Sequence, residues 1–261
     1  MHRARKRFGQ HFLHDPAIIA RIVEAIDPRR DDRMVEIGPG LGALTRPLLE
    51  RLDELHAVEI DRDAVRHLRE SISHPGLHVH EGDVLELDLG TLTNDRKLRV
   101  VGNLPYNIST PLLFRLTEQR EHVADMHFML QKEVVDRMAA APGSEHYGRL
   151  TVMLAPWLEV IPLFDIGPGA FRPPPRVVST FVRLKPRAVP LRIEHPREYQ
   201  IIVAAAFAQR RKTLRNALKP LLDAEAIEAA GIDPGLRAEV LPAEAFATLA
   251  ERLARWRTNV S

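Results

Sequence analysis

The sequence predicts an α/β protein: a parallel sheet covered by helices on both faces, followed by a small all-α domain. Three observations carry this. Between residues 31 and 184 short apolar runs alternate with longer amphipathic ones, the pattern of strand–helix–strand units. A glycine-rich turn, Gly38-Pro39-Gly40-Leu41-Gly42, joins the first of these strands to its helix. After the prolines at 186, 190 and 196 only helical periodicity remains.

In chain order, Met34-Val35-Glu36-Ile37 reads as a first strand, residues 44–52 as a helix and 55–60 as a second strand. Residues 63–72 have helical spacing with Asp61 or Asp63 as cap, and 77–80 form a third strand. A fourth strand at 97–101 leads into a helix through 111–116, and a fifth at 126–130 into a helix over 132–141. Residues 150–157 and 177–184 read as late strands, and Phe171-Arg172-Pro173-Pro174-Pro175-Arg176 as a stiff extended segment. The second domain carries helical patterns over 199–222, 224–230 and 242–256. The expected division is 1–187 and 188–261.

Parallel sheets bind ligands at the carboxyl ends of their strands, and the chemistry-bearing residues fall there. The glycine turn lets a ligand approach the backbone with no Cβ in the way. Seventeen residues past Gly42, Glu59 ends the second strand, where a carboxylate can accept from both hydroxyls of a ribose. Asp83 follows the third strand, placed to hold the exocyclic amine of an adenine. Gly-x-Gly-x-Gly departs from the Gly-x-Gly-x-x-Gly that a pyrophosphate needs, and no Gly-Lys-Ser/Thr is present to cradle a triphosphate. A nucleoside cofactor without phosphate fits better, and S-adenosylmethionine is such a cofactor. At the end of the fourth strand, Asn103-Leu104-Pro105-Tyr106 supplies a carboxamide that can accept an amine proton, a backbone-fixing proline and an aromatic face for a base. Base–aromatic stacking contributes roughly 1–3 kcal/mol.

Composition narrows the partners. Among 261 residues, 45% are hydrophobic and 28% charged, ordinary for a globular protein. No apolar run reaches the roughly 18–20 residues of a membrane span, and the basic N-terminal run lacks the apolar stretch of a secretory leader, so no membrane partner or targeting is expected. Absent cysteine excludes thiolate metal sites and disulfides and agrees with a cytoplasmic protein; the histidines lack ligand spacing, so no metal is expected. Net charge is only +2, but basic residues cluster twice. Arg3, Arg5, Lys6 and Arg7 form one cluster; Arg210, Arg211, Lys212 and Arg215 form the other, on a helix expected over 207–218 with Phe207, Leu214 and Leu218 buried. Such clusters are the footprint of phosphate contacts.

Together these motifs resemble the family of small-subunit (16S) ribosomal RNA adenine dimethyltransferases, nearly end to end. The resemblance rests on Arg7-Phe8-Gly9-Gln10-His11-Phe12-Leu13, the glycine turn, Glu59-Ile60-Asp61, Gly82-Asp83 and Asn103-Leu104-Pro105-Tyr106. It extends through Gln131-Lys132-Glu133-Val134, Tyr147-Gly148-Arg149-Leu150, the Phe171–Arg176 segment with Val177, and Ala206 through Asn216. It implies a Rossmann-like S-adenosylmethionine-dependent methyltransferase sheet and N6-dimethylation of two adjacent adenosines near the 3′ end of small-subunit rRNA, acting as a monomer on an immature 30S particle. It implies further that His11 and Leu13 close over the cofactor, that Gly38 lies under its methionine part, and that Glu59 takes the ribose and Asp83 the adenine. Asn103 then stands where cofactor and substrate meet, the Leu104 carbonyl faces the target amine, and Tyr106 and Phe171 sandwich the extruded base. His11 and Arg176 depart from the asparagine and lysine frequent in relatives. A non-catalytic ribosome-assembly factor and a large-subunit (23S) rRNA adenine methylase conferring antibiotic resistance stay open as alternatives.

Overall fold

The computed structural model describes residues 11–105 and 108–260, the side chains of 259 and 260 excepted. The chain divides into two compact units, Met1–Val135 with Val160–Pro186, and Asp136–Glu159 with Arg187–Ser261. The second unit thus takes in a stretch of the chain before residue 160 as well as the C-terminal residues.

The first unit is built on a mixed sheet. Its strands in chain order are β2 (Met34–Ile37), β3 (Leu55–Glu59), β4 (Leu77–Glu81), β5 (Leu98–Asn103), β6 (Val123–Gln131), β7 (Leu158–Ile166) and β9 (Ser179–Pro186). Two short strands, β1 (Phe12–Leu13) and β8 (Phe171–Arg172), pair separately with each other. The large sheet has the order β4-β3-β2-β5-β6-β9-β7. From β4 to β6 every pairing is parallel, whereas β9 lies antiparallel to β6. The expected all-parallel sheet is therefore corrected to a mixed one. Residues 177–184 carry the right strand pattern, but burial on both faces looks the same in either direction. All four residues of β2 are buried, as a strand covered on both sides requires.

Helices flank this sheet. In α1 (Pro16–Ile26) Asp15 accepts from the N–H groups of Ala17 and Ile18 at 2.9 and 3.2 Å, and Pro16 starts the helix where no N–H is needed. Its Ile22, Val23 and Ile26 enter the core, each contributing roughly 1.5–3 kcal/mol. The helix stops at Asp27, which takes the left-handed conformation. Asp61 is the cap of α3 (Arg62–Ser71), accepting from Asp63 N–H at 3.0 Å, while Ala64, Val65 and Leu68 are buried. Helices α2 (Thr45–Leu49) and α4 (Ser109–Glu118) follow β2 and β5.

Two expectations fail in instructive ways. Residues 150–157 are not a strand: α6 (Arg149–Leu154) occupies the stretch, after α5 (Lys132–Met138). Thr151 Oγ1 accepts from Gly148 N–H at 3.1 Å, one half of a capping box, and Val152, Met153 and Leu154 are all buried. A short apolar run buried all round has no period with which to tell helix from strand. The helix expected over 207–218 is broken as well, since α7 (Pro196–Phe207) ends before the basic cluster and α8 spans only Leu214–Ala217. Leu214 N–H and Arg215 N–H donate instead to the Leu236 and Pro234 carbonyls at 2.8 and 2.9 Å. Leu214 and Leu218 are buried as expected, but Phe207 only partly.

The second unit closes with α9 (Ala224–Glu228) and α10 (Ala243–Val260). Its core holds Ile202, Val203, Leu214, Ile227, Phe246 and Leu249. Two buried phenols satisfy themselves on main-chain carbonyls: Tyr147 donates to Leu241 at 2.7 Å and Tyr199 to Val152 at 2.8 Å. Among the described residues no helix is long and apolar enough to cross a membrane.

Candidate active site at the carboxyl edge of the sheet

The parallel order places the ends of β2, β3, β4 and β5 along one edge, with the strand order reversing between β2 and β5. After Ile37 the chain turns sharply. Gly38, Gly40 and Gly42 have φ of +64°, +56° and +84°, a conformation costly for any residue with a Cβ. Gly38 N–H continues the β3 pairing through Val58 O at 3.0 Å. In β5 the glycine before Asn103 serves close approach instead: a Cβ on Gly102 would stand 2.5 Å from the Ile37 carbonyl. Small residues on both strands bring Asn103 against the glycine turn, so that a Cβ on Gly38 would meet the Asn103 carbonyl at 3.8 Å.

Three carboxyls line this edge. Glu59 is only 5% exposed. Its Oε2 accepts from Gly40 N–H at 3.1 Å and its Oε1 from Asp61 N–H at 3.0 Å, fastening the glycine turn to β3. Burial pushes its proton affinity up, and those backbone hydrogen bonds pull it back. Glu36 lies beneath the turn and accepts from Thr45 Oγ1 at 2.6 Å. Burial raises it to about 7, the Thr45 bond working against that rise and the Glu59 charge adding to it. Asp83 follows β4, brought beside Glu59 by the Gly82 N–H to Glu59 O bond of 3.0 Å. One Asp83 oxygen accepts from Leu85 N–H at 2.9 Å, and the space a Gly82 Cβ would fill is open to 4 Å.

This donor set fits a nucleoside carried without phosphate. A carboxylate offers about four acceptor positions, and Glu59 spends two on backbone N–H groups, leaving others for ribose hydroxyls. Two adjacent carboxyls suit a cationic cofactor better than a phosphate. Glu59, Asp83 and Gly38 are the residues that would hold it.

Asn103 closes the site. Its Nδ2 donates to the His11 carbonyl at 2.8 Å, so the amine end of the carboxamide is committed and Oδ1 remains to accept. His11 belongs to an extension of the β1–β8 pairing, in which Phe12 faces Arg172, Leu13 faces Phe171, and His14 N–H donates to Ala170 O at 2.9 Å. The His11 ring reaches the Pro173 carbonyl through Nδ1 at 2.7 Å. Phe12 covers the glycine turn: a Cβ on Gly40 would come within 3.1 Å of its ring.

Three further expected site residues have buried side chains. The Leu13 and Phe171 side chains are 5% and 2% exposed and share the core cluster beneath the site. As it stands, Phe171 has no free ring face for a base. Leu104 is 2% exposed, its side chain packed near Gly102. Tyr106, Arg3, Arg5, Lys6 and Arg7 lie outside the described residues. Arg210, Arg211, Lys212 and Arg215 are exposed, but Arg210 also donates to Glu145 O at 2.5 Å and has Nε 3.6 Å from Glu239. Sequence reasoning passed over Phe12, Glu36, Gly102 and Pro173. Glu36, an acid inside an otherwise apolar strand two residues before Gly38, was the readable signal among them. Among the described residues no group of His, Asp and Glu is arranged to hold a metal ion.

Residues 1–255 match the family described as ribosomal RNA adenine dimethylase. Among relatives, Ribosomal RNA small subunit methyltransferase A of Methylococcus capsulatus is 54% identical over 253 residues, covering 97% of this chain and 98% of its own. The protein of that name from Aromatoleum aromaticum is 55% identical over 254 residues, covering 97% and 95%. A dimethyladenosine transferase from Plasmodium falciparum shares the fold, with a TM-score of 0.78 at 24% identity over 94% of this chain and 98% of that one. The 23S rRNA methyltransferase ErmE gives 0.71 at 29% identity over 93% and 99%.

Proposed function

The chain belongs to the ribosomal RNA adenine dimethylase family, and we propose that it methylates N6 of adenines in small-subunit (16S) ribosomal RNA with S-adenosylmethionine as donor. The finer reading is two methyls on each of two adjacent adenosines near the 3′ end, added by a monomer to an immature 30S particle in the cytoplasm. The observation that carries it is the Asn103 carboxamide, its amine tied to His11 O and its oxygen left to accept at the strand end beside the glycine turn.

The cofactor supplies an electrophilic methyl on a sulfonium that is already a good leaving group. Glu59 accepts the ribose hydroxyls, Asp83 holds the adenine amine, and Gly38 leaves room for the methionine part. The target N6 lone pair is delocalised into the purine ring and is a poor nucleophile. Asn103 Oδ1 and the Leu104 carbonyl accept hydrogen bonds from its two N–H groups, favour a tetrahedral nitrogen and stabilise the positive charge developing there; once the methyl is transferred, the surplus N6 proton leaves to solvent. Tyr106 stacks on the extruded base, and Phe171 backs that pocket from the core. Alignment of this kind contributes roughly 7–11 kcal/mol, so no strong general base is needed. Because a stacked adenine cannot reach the site, the base is flipped or already single-stranded. The two basic clusters, Arg3 to Arg7 and Arg210 to Arg215, hold the RNA backbone, the second from the small helical unit.

Labelled cofactor offered with immature small subunits, large subunits, naked RNA and duplex DNA tests the proposal. Transfer confined to small subunits, with N6,N6-dimethyladenosine in their digested RNA, is expected. Label in large subunits overturns the substrate assignment, and tight subunit binding without transfer points to an assembly factor.

A further inference from the structure

We propose that His11 is a positioning residue for Asn103, setting the direction of the carboxamide that receives the substrate amine; this rests on the methyl-transfer reading above. Among the described residues, the Asn103 side chain has one restraint on its polar atoms, the 2.8 Å bond from Nδ2 to His11 O. A carboxamide that loses this bond rotates freely about its terminal torsion, and amine and oxygen exchange places. The His11 carbonyl is carried at the end of a short strand. That strand is two residues long, Phe12–Leu13, and its pairing with Phe171–Arg172 stops one residue short of His11. Beyond the last pair, the His11 imidazole extends the ladder by its own means. A carbonyl can only accept, so Nδ1 carries the proton and donates it to Pro173 O at 2.7 Å. The ring thereby anchors the peptide whose carbonyl aims Asn103. Phe12, against the Gly40 turn, fixes the other side of the same peptide. His11 acts through Asn103 and does not itself touch the reacting atoms.

Three variants separate this role from a direct grip on the cofactor. His11→Ala and His11→Phe both remove the donor, whereas His11→Asn keeps a side-chain N–H that can reach Pro173 O. Losing one such bond is expected to lower kcat about tenfold in the first two. Affinity for S-adenosylhomocysteine, measured by calorimetry, should change less than twofold, and His11→Asn should restore most of kcat. An affinity loss matching the fall in kcat/KM, with kcat kept, overturns the proposal in favour of a cofactor contact. Unchanged kcat in His11→Ala overturns it too. A second readout does not need turnover: in protein labelled with 15N only at asparagine, the Asn103 side-chain NH₂ pair should lose its exchange protection in His11→Ala and regain it in His11→Asn. Unaltered protection refutes the positioning role. If the wild type transfers no label to any RNA, the methyl-transfer reading fails by itself, and the amide spectrum still decides whether His11 restrains Asn103.

Discussion

Glu36 gives the sharpest quantitative test of the site's electrostatics. It is 2% exposed under the glycine turn, and burial lifts its pKa from 4.5 to about 7. The folded protein therefore holds a proton that the unfolded chain has already released between pH 4.5 and 7. Where the native state binds more protons, stability falls as pH rises, so the Glu36 contribution is intact below pH 4.5 and is lost through pH 7. A displacement of that size corresponds to roughly 3 kcal/mol of penalty once the carboxylate is forced to ionise. Glu36→Gln keeps a carbonyl to accept from Thr45 Oγ1 but cannot ionise. Urea unfolding of the cofactor-free protein at pH 5, 6, 7 and 8 should show the variant near wild-type stability at pH 5. Its advantage should then grow to about 3 kcal/mol by pH 8. A stability difference that stays flat across this range would refute the claim that Glu36 is held protonated.

Four further outcomes follow from the same geometry. Gly102→Ala forces a methyl toward the Ile37 carbonyl 2.5 Å away and should destabilise by roughly 1–3 kcal/mol, read from thermal unfolding, while slowing turnover by displacing Asn103. Glu59→Ala strips the acceptors from Gly40 N–H and Asp61 N–H, so calorimetry should find both weaker cofactor binding and a lower Tm; unchanged affinity removes Glu59 from the site. Asn103→Ala should cost roughly 10²–10³ in kcat with cofactor affinity largely kept. Replacing Arg211, Lys212 and Arg215 together should weaken RNA binding and flatten its salt dependence, each lost phosphate contact lowering the logarithmic slope by roughly 0.7–0.9. Arg210 is left out of that set because its bond to Glu145 O makes its loss a structural change as well.

What the sequence made legible follows the range of the interactions involved. The strands ending in Ile37, Glu59 and Asn103 announce themselves through local apolar period and adjacent glycines, and the parallel sheet then places their ends together. Asp61 was readable as a cap because a cap bonds two or three residues away. Residues 150–157 and 207–218 misled for complementary reasons: one is apolar without period, the other has the right period but gives its backbone N–H groups to residues 234 and 236. The orientation of Asn103 was illegible in a deeper sense. Its partner His11 lies 92 positions away, and the bond that steadies His11 spans 162 more. No local pattern encodes either contact; both follow only once β1 and β8 pair, and that pairing involves two residues on each side. A carboxamide can be recognised as an acceptor from its position at a strand end, but the direction it faces is a property of the closed chain. The identity of a catalytic residue is thus carried by its motif, and its competence by contacts between segments far apart in the chain.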